Sequence, residues 1–177
     1  MIEGHDLEIF ERSLEAATSA NDGAGLDAAL AELGWTEALE DDPRAAVSLF
    51  FELQGAANVT SSALDRSIAW ALGHIGATVV LPAIGRSDPP GTLVGKHVRV
   101  HGVTAGVPVG HTRAVVVAGQ GATNVAYEVE IASLQRRAVE GMDPSLGLVE
   151  IDLRNREVGA AAEEPAAAGP SCERPLT

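Results

Sequence analysis

A change of hydrophobic period at Gly76 constrains this chain more than any other feature. Before it, apolar residues recur every three or four positions. After it, β-branched residues take over, punctuated by Gly and Pro. A stretch patterned for helix does not settle as strand, nor the reverse, so the two halves fold as different structures. The pattern predicts an α+β chain: an N-terminal α-helical bundle over residues 1–75, a small antiparallel β-barrel or sandwich over 76–153, and a disordered tail over 154–177.

In "DLEIFERSLEAATSA" the residues Leu7, Phe10 and Leu14 make an apolar stripe, with Glu8, Glu11, Arg12 and Glu15 elsewhere around the helix. Asn21-Asp22-Gly23 is a stop. A second helix carries Leu26, Ala29, Leu30 and Leu33 up to Gly34, a suitable C-terminal residue. Asp42-Pro43 reads as N-cap and first turn of a third, holding Val47, Phe50, Phe51 and Gln54 until Gly55 interrupts it. Thr60-Ser61-Ser62 with Asp65 suits a capping box for a last helix, with Leu64, Ile68, Ala71 and Leu72 on it and a stop near Gly73. Trp35 and Trp70 are expected to be packing residues.

Strands are expected at Thr78–Leu81, Lys96–Val103, Thr112–Ala118, Asn124–Ile131, Gln135–Val139 and Leu148–Leu153. "KHVRVHGV" alternates, placing Val98 and Val100 on one face until Gly102 breaks the register. Gly119–Thr123 and Gly141–Leu146 read as turns, the latter started by Asp143-Pro144. Short strands with no helix between them fit a barrel or sandwich rather than a βαβ fold. From Arg154 the chain turns to Ala, Glu, Pro and Gly, which cannot fill a core.

The charge narrows the function. Twelve cations stand against 25 acidic residues, a net of −13. That balance disfavours nucleic-acid and anionic-membrane partners. Only 3% of residues are aromatic, so the core must be mostly Ala, Val and Leu. The single cysteine, Cys172, lies in the expected tail, so no intrachain disulfide forms. No apolar run suits a signal peptide or a membrane span, and the reading is a cytoplasmic protein. His97, His101 and His111 invite a metal, but on a strand residues four apart lie roughly 13 Å apart, so no metal site is expected. There is no Gly-x-Ser-x-Gly elbow, dinucleotide fingerprint or Walker motif.

Three segments carry a resemblance. Residues 31–73, "AELGWTEALEDDPRAAVSLFFELQGAANVTSSALDRSIAWALG", resemble the N-terminal helical domain of bacterial acyl-CoA dehydrogenases. "VVLPAIGRSD" (Val79–Asp88) is similar to that family's proline-to-Gly-Ser-Asp loop. "VEGMDPSLGLVEIDL" (Val139–Leu153) resembles the closing strands of its middle β domain. The resemblance implies a loop facing flavin and acyl thioester, in which Pro82, Gly85, Ser87 and Asp88 match and Arg86 interrupts the order. It also implies a role for Gly95 and Lys96, which lead into a strand bearing an aromatic residue beside the flavin ring. That aromatic is replaced here by His97, Val98 or Val100. The candidate cofactor-binding residues are therefore Gly85, Ser87, Asp88 and Lys96. The plainer reading of the loop is a surface turn capped by Asp88.

In the resembled family the catalytic base and much of the flavin site lie in a C-terminal helical bundle. No catalytic residue is assigned here, and the chain is not expected to oxidise an acyl-CoA alone. Three readings follow. The chain is a partner subunit or degenerate homologue in acyl-CoA and flavin metabolism, an oligomer with FAD bound only where another chain completes the site. Alternatively, it is a flavin-free barrel that binds an apolar small molecule, as a binding protein or a cofactor-free cyclase or isomerase. Lastly, it is a truncated product without activity. The first predicts an uncovered apolar stripe on Leu64, Ile68 and Leu72, with a small apolar or acyl-CoA ligand shared with the partner.

Overall fold

The computed structural model describes residues 4–105, 111–120, 123–140 and 147–157. The expected turn at Gly141–Leu146 and Cys172 lie outside them. The chain divides into two compact units, Met1–Trp70 and Ala71–Thr177.

The first unit holds helices α1 (Gly4–Ala20), α2 (Ala24–Glu32), α3 (Trp35–Asp41), α4 (Pro43–Ala57) and α5 (Ala63–Ala71). Leu14, Leu26, Leu30, Trp35, Leu39 and Phe50 are all but completely buried. Burying each stabilises the unit by roughly 1.5–3 kcal/mol. Phe50 is the hub, its ring 5.1 Å from Trp35 and 5.3 Å from Phe51. Asp42 caps α4 as its sequence suggests, accepting from the Ala45 N–H at 3.1 Å. Gly34, left-handed at φ 75°, ends α2 and starts α3, a short helix the sequence pattern did not reveal. Gly55 does not interrupt α4: the helix runs on to Ala57 and stops where Asn58 turns left-handed.

Two aspartates tie the loop before α5 to the rest of the unit. Asp22 Oδ1 accepts from the Gly23 N–H, the Thr60 N–H and the Thr60 hydroxyl, all within 2.8 Å. Asp27 accepts from the Ser62 N–H at 2.7 Å. The donors from Thr60 hold the Asp22 carboxyl below the usual carboxylate range.

The second unit is a seven-stranded sheet: β1 (Thr78–Pro82), β2 (Gly91–Val94), β3 (His97–Thr104), β4 (Arg113–Gln120), β5 (Thr123–Glu130), β6 (Gln135–Ala138) and β7 (Val149–Glu157), with a 3-10 turn at Ile131–Ser133. β1 and β2 lie end to end. Along β3 the partners run Leu81↔Val103, Pro82↔Gly102, then Gly91↔Val100 through Val94↔His97. Both also pair β4, in parallel. The broken strand thus has β3 on one side and β4 on the other. β5 continues beyond β4, and β7 and then β6 continue beyond β3, all antiparallel. The sheet curls over one apolar face, where Val80, Val98, Val100, Val116, Tyr127, Ile131, Ile151 and Leu153 form the core.

Three details differ from the sequence expectation. β2 is not among the expected strands, because four residues after two prolines carry little strand pattern. Its pairing and that of β1 with β4 are parallel, which period alone does not reveal. β7 continues past Leu153 to Glu157, into the segment read as tail, because β3 offers it partners as far as His97.

The excursion between Pro82 and Pro90 closes tightly over Gly102. A Cβ there would stand 2.3 Å from the Leu81 carbonyl oxygen and 3.0 Å from Pro90 Cβ. The Pro90 carbonyl accepts from the His101 N–H at 2.8 Å. Glycine is required where two ends of a loop cross a strand so closely.

Candidate functional site

The outer face of the sheet carries a groove of about 420 Å³ whose lining includes Pro90, Thr92, Arg99, His101, Asp152 and Arg154. Strand alternation builds it. On β3, Val98 and Val100 turn into the core while His97, Arg99 and His101 face out. Register then sets rows across three strands. Thr92 of β2 pairs with Arg99, and His101 pairs with Asp152 of β7, with Pro90 against His101 on the other side.

Between Val98 and Val100 the β3–β7 register shifts, so Leu153 faces Val100 while Arg156 faces Val98. Between those pairs two residues of β7, 154 and 155, stand opposite the single residue Arg99 of β3. Arg154 Nε lies 3.6 Å from Asp152 Oδ1. His101 Nδ1 stands 3.9 Å from Glu150 Oε1, a carboxylate that Arg137 grips more closely, Nε to Oε2 at 2.9 Å.

The residues singled out from sequence fall in two places. Gly85, Ser87 and Asp88 sit on the exposed excursion between β1 and β2. Gly85 takes φ 79°, and both Asp88 oxygens are held by Arg86, Nε–Oδ1 at 3.2 Å and Nη2–Oδ2 at 2.6 Å. Those hydrogen bonds lower the Asp88 carboxyl and raise the Arg86 guanidinium. Lys96 is exposed at the tip of the β2–β3 hairpin, where Gly95 (φ 64°) is the first of two turn residues, the II′ arrangement. The length of β2, roughly 10 Å at 3.3 Å per residue, separates Lys96 from the loop. The structure therefore groups three of the four and leaves Lys96 apart.

Sequence reading missed Thr92, Arg99, Asp152 and Arg154. The alternation of "KHVRVHGV" contained the signal for Arg99. Nothing in the sequence marked Arg154, since a bulge depends on a partner strand. A second cluster was also missed: His74 Nδ1 meets Glu128 Oε1 at 3.0 Å, and Arg113 Nη1 grips the same carboxylate at 3.1 and 3.0 Å. The His74 Nε2 is buried without a hydrogen-bond partner. His111 Nδ1 pairs with the Thr78 hydroxyl at 3.1 Å.

No protein-family model and no curated protein sequence matches the chain. Solved structures do. The ChsE4–ChsE5 complex from Mycobacterium tuberculosis is similar at a TM-score of 0.61 and 14% identity, covering 91% of this chain and 57% of that one. A variant of the Tcur3481–Tcur3483 steroid ACAD is similar at 0.51 and 19% identity, covering 89% and 55%. These are structures of the acyl-CoA dehydrogenase family. The chain has the acyl-CoA dehydrogenase fold. It spans little more than half the length of the chains it matches.

Such neighbours are typically FAD-binding, so the groove can be tested against a flavin. Of the three replacements for the family's aromatic residue, Val98 and Val100 are in the core and only His97 faces out. The chain's six aromatics are Phe10, Trp35, Phe50, Phe51 and Trp70, which belong to the helical unit, and Tyr127, which is 3% exposed inside the β core. Among the described residues the groove's one aromatic ring is the imidazole of His101. No indole or phenol side chain is there to stack on an isoalloxazine.

Proposed function

We propose that this chain is a non-catalytic subunit of a heteromeric acyl-CoA-dehydrogenase-like assembly, in which another chain supplies the base and completes any FAD and acyl-CoA site. The observation that carries this reading is the likeness to a two-component complex over 91% of this chain but only 57% of its neighbour's. The matched part contains helical and β elements, and its groove holds no indole or phenol ring for a flavin. Of the stripe expected on Leu64, Ile68 and Leu72, only Leu64, 47% exposed, is open to solvent. Gly85, Ser87 and Asp88, on their exposed loop, would face the ligand from this side.

The flavin-free barrel with an apolar ligand has less support, because the curled face of the sheet is filled by its own valines, leucines and isoleucines. Native mass spectrometry of the protein purified gently from its host separates the two. The expected mass is this chain plus a second protein and flavin. A bare monomer or homodimer without flavin would overturn the proposal. Given the purified chain alone, an acyl-CoA and an artificial electron acceptor, no turnover is expected.

A further inference from the structure

We infer that residues 72–77, which join the last helix to the first strand, form a glycine hinge fastened to the sheet by one latch, the His74 imidazole on the Glu128 carboxylate. The inference does not rest on the partner-subunit reading.

The backbone supplies the hinge. α5 ends at Ala71 and β1 begins at Thr78, just past the boundary at which the first compact unit ends, Trp70. Gly73 (φ 77°) and Gly76 (φ 80°) are both left-handed, and nothing lies within 4 Å of where a Cβ would stand on either. Glycine enters and leaves that region at no steric cost, and the open space leaves the turn room to unwind. Between the two glycines Ile75 is 58% exposed. The Ala77 N–H donates to the His74 carbonyl at 3.1 Å, which closes the turn on itself rather than on a neighbour. A segment with so few contacts belongs to the low-stability end of a fold, where local opening comes first.

The sheet supplies the latch. In the β4–β5 register Arg113 pairs with Glu130 and Val115 with Glu128, so Arg113 and Glu128 share a face as diagonal neighbours. Arg113 Nη1 lies 3.1 and 3.0 Å from the two Glu128 oxygens and fixes the carboxylate in place. Its Oε1 then accepts from His74 Nδ1 at 3.0 Å. A carboxylate in this state only accepts, so the ring carries its hydrogen on Nδ1. Nε2 is left as a bare acceptor, buried without a hydrogen-bond partner among the described residues. The two nitrogens of one imidazole therefore oppose each other. The bond to a charged acceptor holds the segment down, whereas the dry Nε2 favours release into water. That opposition makes the contact a latch rather than a permanent staple. A matching set elsewhere on the sheet gives the contrast: Glu150, gripped by Arg137, stands 3.9 Å from His101, whose ring is 58% exposed and belongs to β3 rather than to a hinge.

The test is limited proteolysis of the full chain by thermolysin, which cuts before large aliphatic residues and reads the hinge at the His74–Ile75 bond. Glu128→Gln keeps the shape of the acceptor and removes its charge. Cleavage before Ile75 should then run roughly tenfold faster, because cutting follows local opening. His74→Ala, which removes the latch from the other side, should accelerate it as well. Glu150→Gln disturbs the matching carboxylate away from the hinge and should leave the rate unchanged. Mass spectrometry of the first fragments separates opening from unfolding: opening gives one cut before Ile75, unfolding gives cuts throughout the strands. Cleavage no faster in Glu128→Gln than in the parent would overturn the inference. So would equal acceleration by Glu150→Gln, or first cuts scattered over the sheet.

Discussion

Gly102→Ala should destabilise the β unit more than any other single methyl added to it. The added Cβ would stand 2.3 Å from the Leu81 carbonyl oxygen, 2.8 Å from Val80 Cγ1 and 3.0 Å from Pro90 Cβ, against 3.4–4 Å for ordinary contact. The valine methyl can rotate, but the carbonyl is backbone. Relief requires β1 to move about 1 Å from β3, opening the pairs Leu81↔Val103 and Pro82↔Gly102. Overpacking alone costs about 1–3 kcal/mol, and the loosened pairs put the total near the top of that range, roughly 3 kcal/mol. Gly55→Ala is the control. It lies exposed in α4 with nothing within 4 Å of its Cβ, so it should stabilise the helical unit by about 0.5–1 kcal/mol. Urea unfolding should be followed by two probes. Trp35 and Trp70 fluorescence reports the helical unit, since both tryptophans lie within Met1–Trp70, and far-ultraviolet circular dichroism reports the whole chain. Gly102→Ala should shift the dichroism transition and leave the fluorescence transition in place. A Gly102→Ala protein as stable as its parent would refute the register that places β1 and β2 on one line.

Three further outcomes follow from the packing. Trp35→Ala removes a ring that is 1% exposed and 5.1 Å from Phe50, and should cost the helical unit roughly 3–5 kcal/mol; retention of its protease resistance would argue against this core. Asp22 has a depressed carboxyl pKa, so its contribution is present above the unfolded carboxylate value and is lost as pH falls through the folded one, below about 4. Melting by tryptophan fluorescence should therefore fall on acidification, and Asp22→Asn should start lower and flatten that dependence. Glu128→Gln removes the charge that holds both His74 and Arg113, and should cost the β unit about 1–2 kcal/mol by thermal melting; an unchanged melting point would show that the cluster adds nothing.

How much of this was legible beforehand depended on whether the signal was local. The switch of period at Gly76 gave both halves, because apolar periodicity is a property of one strand or helix by itself. Asp42-Pro43 and Gly34 gave helix ends for the same reason: a cap acts within a few residues. β2 was invisible because four residues following Pro89-Pro90 become a strand only by lying between β3 and β4. The candidate site divides the same way. The alternation at residues 97–101 already put Arg99 and His101 on one face, whereas Arg154 acquires its place only when the register slips between Val98 and Val100. The loop residues Gly85, Ser87 and Asp88 were found by resemblance, and Lys96 with them. Yet the hairpin carries Lys96 a strand's length away, since resemblance transfers an order along the chain and not a distance in space. A groove lined from two strands about fifty residues apart is a tertiary object, because neither strand alone would produce it.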